Sequence, residues 1–269
     1  MEEIPPEADV LILTTPRSDL STLEVGKIVD FLDTGGRALF MIDITPTPMP
    51  NLDLLTEAFG VVLGGIYVHE GDSGRHFPQR NNLIFPLMAD HQINSRNLSN
   101  GVNPLLLEGQ AIWNAPYQRT FLTAEPLLIS TAASFGRDDP DNLSVNQMEG
   151  EPDGPFALAV AVEDSFTGPG GIYVTRLVLV GTSNILDPGA NGFVHGANGE
   201  FLISSINWLL DRTDVSPDSV FIQPRSLLDD QVLRLTQAEQ NNIMVFSLGV
   251  LPGTIVITGF FVWIKRRRS

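Results

Sequence analysis

"ADVLILTTPRSDLSTLEVGKIVDFLDTGGRALFMID", residues 8–43, decides the fold class. Ala8 to Pro16 is a short apolar run closed by turn residues, the pattern of a buried strand. Ser21 and Glu24 stand at capping-box spacing, Val25, Ile28, Val29 and Leu32 continue as an apolar helical stripe, and Gly35-Gly36 stops it. Arg37 to Asp43 then reads as a second buried strand. Two apolar strands joined by a helix predict a parallel pair with a right-handed crossover.

Moving outward, Asn51 is placed to cap a short helix through Phe59, and "VVLGGIYVHE" (residues 61–70) reads as a third strand. This rhythm predicts an open, mainly parallel α/β sheet flanked by helices. Residues 71–120, rich in Asn, Gly, Pro and Ser, read as a long excursion over the sheet with a small hairpin. Glu125 to Arg137 resumes strand character, and Asp138 to Pro155 is an acidic loop. "FALAVAVEDS" (156–165) and "TRLVLVGTSNIL" (175–186) predict two strands joined through the turn "TGPGG" (167–171). Asn198 is placed to cap a helix over "GEFLISSINWLLD" (199–211), and "SVFIQPR" (219–225) reads as a last strand. The expected organisation is a soluble domain over residues 1–225, a connector over 226–242, a membrane span over 243–264 and a basic tail over 265–269.

The span rests on charge and length. Ile243 to Ile264 contains no ionisable side chain, and at about 1.5 Å per residue it crosses a hydrocarbon core of roughly 30 Å. Trp263 sits where an interfacial aromatic belongs, and Lys265, Arg266, Arg267 and Arg268 form the flank held on the cytoplasmic side. The soluble body is then expected outside, which calls for an export segment upstream of Met1. The chain carries a net charge of −16 despite those terminal cations, a surface that repels nucleic acid. It contains no cysteine, so disulfides, thiolate metal sites and a cysteine nucleophile are excluded.

Three stretches, "IPPEADVLILTTPRSDLSTLEVGKIVDFLDTGGRALFMID", "TRLVLVGTSNILDPGANGFVHGANGEFLISSINWLLD" and "LPGTIVITGFFVWIKRRR", together resemble the GldG-like family. Its members are auxiliary, extracytoplasmic components of gliding-motility-associated ABC-type transport systems. The resemblance implies a class I glutamine-amidotransferase-like or flavodoxin-like α/β domain with a C-terminal transmembrane helix. It also implies a non-catalytic accessory role with ABC permease and ATPase subunits and the lipid bilayer as partners, at the bacterial cytoplasmic membrane. Where the family often reads Gly-Asp-Ser-Asp, this chain has Gly181-Thr182-Ser183-Asn184, and where it tends to read His-Pro-Ile-Thr, His91-Gln92-Ile93-Asn94 stands.

The loop after the late strand is the place where an open α/β sheet binds ligands, which makes Ser183, Asn184 and Asp187 the candidate ligand-binding residues. An ordinary strand-to-helix loop explains them better, because position in the fold does not by itself make a site. Ser183 lacks the Gly-x-Ser-x-Gly elbow, so a serine hydrolase would need His91 or His195 brought to it. His69, Glu70, Asp72 and His76 could form a composite metal site only by convergence, since no metal-ligand spacing is present, and no cofactor signature is found. A solute- or glycan-binding module would be marked by Trp113, Tyr117 or Trp208 lining a pocket.

Overall fold

The strand–helix–strand unit forms where the apolar periodicity places it. The computed structural model describes residues 3–116, 119–139, 142, 144–168 and 171–212, together with 246, 252, 263, 266 and 267. Strands β1 (Leu11–Thr14) and β2 (Arg37–Met41) run parallel, with helix α1 (Thr22–Leu32) between them. The capping box is present: the Ser21 hydroxyl accepts from the Glu24 N–H at 3.3 Å, and the Glu24 carboxylate accepts from the Ser21 N–H at 2.9 Å. That N–H, with the Ser21 hydroxyl, draws the Glu24 pKa down to about 2.

Strand β2 is apolar on both faces because both are covered. Ala38, Phe40 and Ile42 join a cluster with Ile28 and Leu32 of α1, whereas Leu39 and Met41 join one with Phe201 and Leu209. Helix α2 (Pro50–Ala58) follows, with Pro50 in its first turn. Asn51 does not cap it: the distant Asp19 carboxylate accepts from the Asn51 N–H at 3.0 Å and the Leu52 N–H at 3.1 Å, while the Asn51 amide donates to Leu20 O. A carboxylate at the amide end of the helix also meets the favourable end of its dipole.

The remaining strands are β3 (Val61–His69), β4 (His76–Phe77), β5 (Arg80–Ile84), β6 (Leu87–Met88), β7 (Leu106–Leu107), β8 (Gln110–Asn114), β9 (Leu122–Ile129), β10 (Phe135–Arg137), β11 (Ala157–Gly168) and β12 (Gly171–Val180). Helices α3 (Ser95–Asn100), α4 (Pro188–Phe193) and α5 (Ala197–Leu209) and two short 3-10 helices, Gln92–Asn94 and Ser183–Leu186, complete the described elements. Nine strands form one sheet in the order β1-β2-β12-β11-β8-β3-β10, with β9 also on β11 and β6 on β9. Strands β4, β5 and β7 form a small second sheet within the predicted excursion.

The expectation of a mainly parallel sheet is overturned. Only β1 with β2 and β2 with β12 pair in parallel; all other ladders are antiparallel, so the sheet is mixed. The cause lies in β3, which pairs with β8 and β10 because β12 occupies the place beside β2. A continuous apolar run reports that both faces of a strand are buried, and says nothing of which strand lies alongside. Gly65, at φ +64, sits in the register shift of β3 between Leu63 and Tyr67, a bend that favours glycine.

The predicted hairpin of β11 and β12 is present, with Ala159 opposite Val180 and Gly168 opposite Gly171. The stretch of strand character over Glu125 to Arg137 holds two strands, the end of β9 and the whole of β10, separated by residues 130–134. Asn198 lies inside α5, buried, where its amide donates to Leu105 O and Ile185 O and its carbonyl accepts from the Leu105 N–H. The helix instead starts after Gly196, at φ +89. The acidic loop wraps around Arg137, whose side chain is 1% exposed. That guanidinium donates five hydrogen bonds, to both Glu151 carboxylate oxygens and to the carbonyls of Asn142, Ser144 and Asn146.

The expected transmembrane helix is likewise not found: no helix among the described residues is long and apolar enough to cross a membrane. Apart from Phe246, Pro252 and Trp263, the stretch 243–264 lies outside the described residues, as do the strand expected over 219–225 and the connector. Met1–Val220 is one compact unit and Phe221–Ser269 another. Within the second, the Arg267 guanidinium lies 5.3 Å from the Trp263 ring centroid, a cation–π contact; Lys265 and Arg268 lie outside the described residues.

Candidate functional site

Three parallel strands end side by side, and a polar residue just beyond each strand meets the others. Thr15 follows β1, Asp43 follows β2 by two residues, and Thr182 and Ser183 follow β12. The Asp43 carboxylate is the hub. Its Oδ2 accepts from Thr15 Oγ1 at 2.7 Å and from Ser183 Oγ at 2.5 Å, and its Oδ1 accepts from the Ser183 N–H at 2.6 Å and Thr182 Oγ1 at 3.1 Å. Thr15 Oγ1 also accepts from the Asp43 N–H at 2.8 Å. Hydrogen bonds to a charged acceptor are each worth about 1.5–3 kcal/mol, so these contacts bind the carboxyl ends of β1, β2 and β12 into one unit.

Of the predicted ligand residues, Ser183 joins this network directly. Asn184 lies beside it: its N–H donates to Thr182 Oγ1 at 3.1 Å, and its amide reaches Leu107 O at 3.5 Å. Asp187 does not join. Its Oδ1 accepts from the Ala190 N–H at 2.6 Å, which makes it the cap of α4 ahead of Pro188. Asp43, Thr15 and Thr182 were missed in the sequence, although each stands just beyond an apolar strand, as Ser183 does.

The network disposes of its own polar groups. Ser183 Oγ donates to a carboxylate, and the hydroxyl is given no imidazole by His91, whose Nδ1 accepts from the Ile93 N–H at 3.1 Å and whose ring packs edge-on against Trp208. Burial lowers the His91 pKa, and His69 is lowered for the same reason. If the serine is a structural donor, Ser183→Ala removes one hydrogen bond of a shared acceptor. Because Ser183 is only partly buried, water replaces part of that bond to a charged acceptor, and a loss of about 1–2 kcal/mol in urea unfolding is expected, with no loss of partner binding.

The side chains proposed as a composite metal site are each engaged elsewhere. His69 Nδ1 lies 2.9 Å from Asn81 Oδ1 with its ring stacked on Phe135, and His76 Nδ1 lies 2.8 Å from Phe77 O. The Glu70 carboxylate accepts from the N–H groups of Asp72 and Thr131 and from the Thr131 hydroxyl, and Asp72 accepts from the Gly74 N–H. Among the described residues no group of three or more His, Asp and Glu is placed to hold a metal. Trp113 is half-exposed on β8, while Trp208 on α5 packs under Arg176, whose guanidinium lies 5.0 Å from its ring; Tyr117 lies outside the described residues.

Beside the network lies a cleft of about 170 Å³ between the segment after β2, the start of α2 and the bend of β3. Asp43, Thr45, Thr47 and Asp53 line it, with Leu52 and Leu63 among its apolar walls. Neither Trp113 nor Trp208 lines it. Gln110, 2% exposed, closes its floor by donating to Ile42 O at 2.7 Å and accepting from the Gly65 N–H at 3.4 Å. Burial, with the Asp19 charge nearby, raises the Asp53 carboxyl above its ordinary range.

No family model matches the sequence, and no curated protein matches it. Among solved structures the chain is similar to the mmIFT52 N-terminal domain, with a TM-score of 0.52 over 75% of this chain and 77% of that chain, at 14% identity. At that identity the likeness is one of fold alone, and together with the mixed sheet it replaces the amidotransferase-like or flavodoxin-like expectation.

Proposed function

We propose that this chain is a non-catalytic, membrane-anchored accessory subunit of an ABC-type transport complex, acting through protein contacts of its α/β domain. Its partners are the ABC permease and ATPase subunits, and its domain lies on the outer side of the bacterial cytoplasmic membrane. The observation that carries this reading is the Asp43 network. At the strand ends, where an α/β sheet would place reactive groups, the carboxylate and its hydroxyl neighbours are bound to one another. Groups so engaged suit a rigid platform better than a reaction centre.

The partners and the location come from the GldG-like resemblance and from the sequence itself. The uncharged run 243–264 followed by Lys265 to Arg268 supports attachment with the basic end inside. Moving those cations outward costs roughly 2.3 kcal/mol per charge per 100 mV of membrane potential. Protease added to intact spheroplasts carrying the full-length protein is expected to digest the α/β domain and spare a C-terminal tag. A protected domain with an accessible tag would overturn the extracytoplasmic role.

A further inference from the structure

The hairpin of β11 and β12 runs past the rest of the sheet. Strand β12 meets β2 only from Arg176 onward, and β9 reaches along β11 only to Asp164. The four pairs beyond, from Ser165 with Val174 to Gly168 with Gly171, form a ribbon that no other described strand flanks. At about 3.3 Å per residue, β12 extends about 16 Å past the start of its pairing with β2. The tip lies at the amino end of β12, opposite the carboxyl end that carries Thr182 and Ser183.

Residues 165–175 carry no charge in a protein of net charge −16. Ile172 is 76% exposed and Val174 38%, while Phe166 stacks on Tyr173 with ring centroids 5.5 Å apart. Phe121, 71% exposed, precedes β9, whose Leu122 pairs with Asp164 at the base of the ribbon. A lone two-stranded ribbon has little stability in water, and an exposed apolar patch on one marks a surface that is covered in use. The path of the chain identifies the cover. Arg176 Nη1 donates to Trp208 O at 2.9 Å and to Asp211 at 3.0 Å, so α5 ends at the base of the ribbon. The chain leaves the domain there, with the uncharged run 243–264 following in the sequence. The carboxylates at this end are matched: Glu163 and Asp211 pair with Arg176, and Asp33 and Asp164 with Arg119.

We propose that the tip of this hairpin inserts into the outer surface of the lipid bilayer, with Ile172, Val174 and the Phe166–Tyr173 pair at the boundary of headgroups and acyl chains. The inference rests on the membrane-anchored reading of the chain: an anchor keeps the tip near one bilayer, so a small apolar area suffices. Penetration stops at that boundary, because the edges of the ribbon carry backbone groups that need water. Tyr173, with an apolar ring and a polar hydroxyl, suits that depth.

Since the chain has no cysteine, Ile172→Cys gives a single labelling site. The full-length protein, labelled there with nitrobenzoxadiazole and reconstituted in phosphatidylcholine vesicles, is compared with Leu186→Cys, labelled in the same way. Leu186 is 49% exposed in the turn after β12, at the far end of that strand. The label at 172 is expected to emit further to the blue and to be quenched by lipids brominated on their acyl chains, while the label at 186 stays in water. Thr167→Asp, at an exposed position paired with Ile172, should return the 172 label to water. Flotation on a density gradient separates two failures. A protein that does not float with the vesicles overturns the anchored reading and this inference with it; a floating protein whose two labels are quenched alike overturns the inference alone. Quenching that Thr167→Asp leaves unchanged, or a blue shift without quenching, would overturn it as well. Both cysteine positions are exposed, so the variants are expected to fold, and a wild-type circular dichroism spectrum verifies that.

Discussion

Replacing Arg137 by methionine is expected to destabilise the α/β domain by about 3–5 kcal/mol, the cost of removing one partner from a buried ion pair. The apolar part of the side chain survives the substitution, so the loss reports the guanidinium. Without it the Glu151 carboxylate and the carbonyls of Asn142, Ser144 and Asn146 lose their donor. The face of Phe135, 5.1 Å from the guanidinium carbon, loses its cation as well. Urea unfolding followed by circular dichroism measures the change, and a loss below about 1 kcal/mol would show that the loop draws little from this contact. Glu151→Gln keeps one acceptor and should cost less, about 1–3 kcal/mol.

The same pair fixes a pH response. The Arg137 guanidinium holds the Glu151 carboxyl below its ordinary value of 4.5. A carboxyl with a depressed native pKa contributes its stability above the unfolded value and loses it as pH falls through the native one. Wild type should therefore lose more stability than Glu151→Gln between about pH 5 and pH 3. Parallel curves for the two proteins would contradict the assignment.

Asp43→Ala is the second large effect, expected to cost about 2–3 kcal/mol. The hydroxyls of Thr15, Thr182 and Ser183 and the Ser183 N–H all lose their common acceptor. Thr15, Asp43 and Ser183 are only partly buried, so water takes up some of the loss, and the buried Thr182 hydroxyl keeps Leu107 O at 3.0 Å as an acceptor, which holds the figure below the sum of separate bonds. Amide exchange should quicken at the carboxyl ends of β1, β2 and β12 together, because the carboxylate joins all three. Quickening confined to Ser183 would mean that the strand ends hold together without it.

What could be read from the sequence was what is local. The capping box of Ser21 and Glu24, the unit of β1, α1 and β2, and the hairpin of β11 and β12 depend on residues near one another in the chain, and each stands where its pattern put it. The misreading began with β3, whose apolar run was correct as a strand and silent about β8. Strand neighbours separated by most of the chain leave no periodic trace. The insertion of β12 beside β2 is such a case.

The site shows the same division. Ser183 was found by its position after a strand, and the rule applied to β1 and β2 would also have found Thr15 and Asp43. Asp187 stands apart from the network, and Asp-Pro at a helix start is the capping signal for what it forms, the cap of α4. Arg137 gave no sign at all, since one arginine at the edge of an acidic loop resembles a solvated charge until the loop is seen to wrap around it.

The claim that this chain works by contact rather than by chemistry is met most directly by affinity capture of the full-length protein from its native membranes, wild type beside Ser183→Ala. The account predicts that both recover the same ABC permease and ATPase subunits in similar yield. Recovery without any ABC subunit would contradict it, and so would capture that Ser183→Ala abolishes while the variant remains folded.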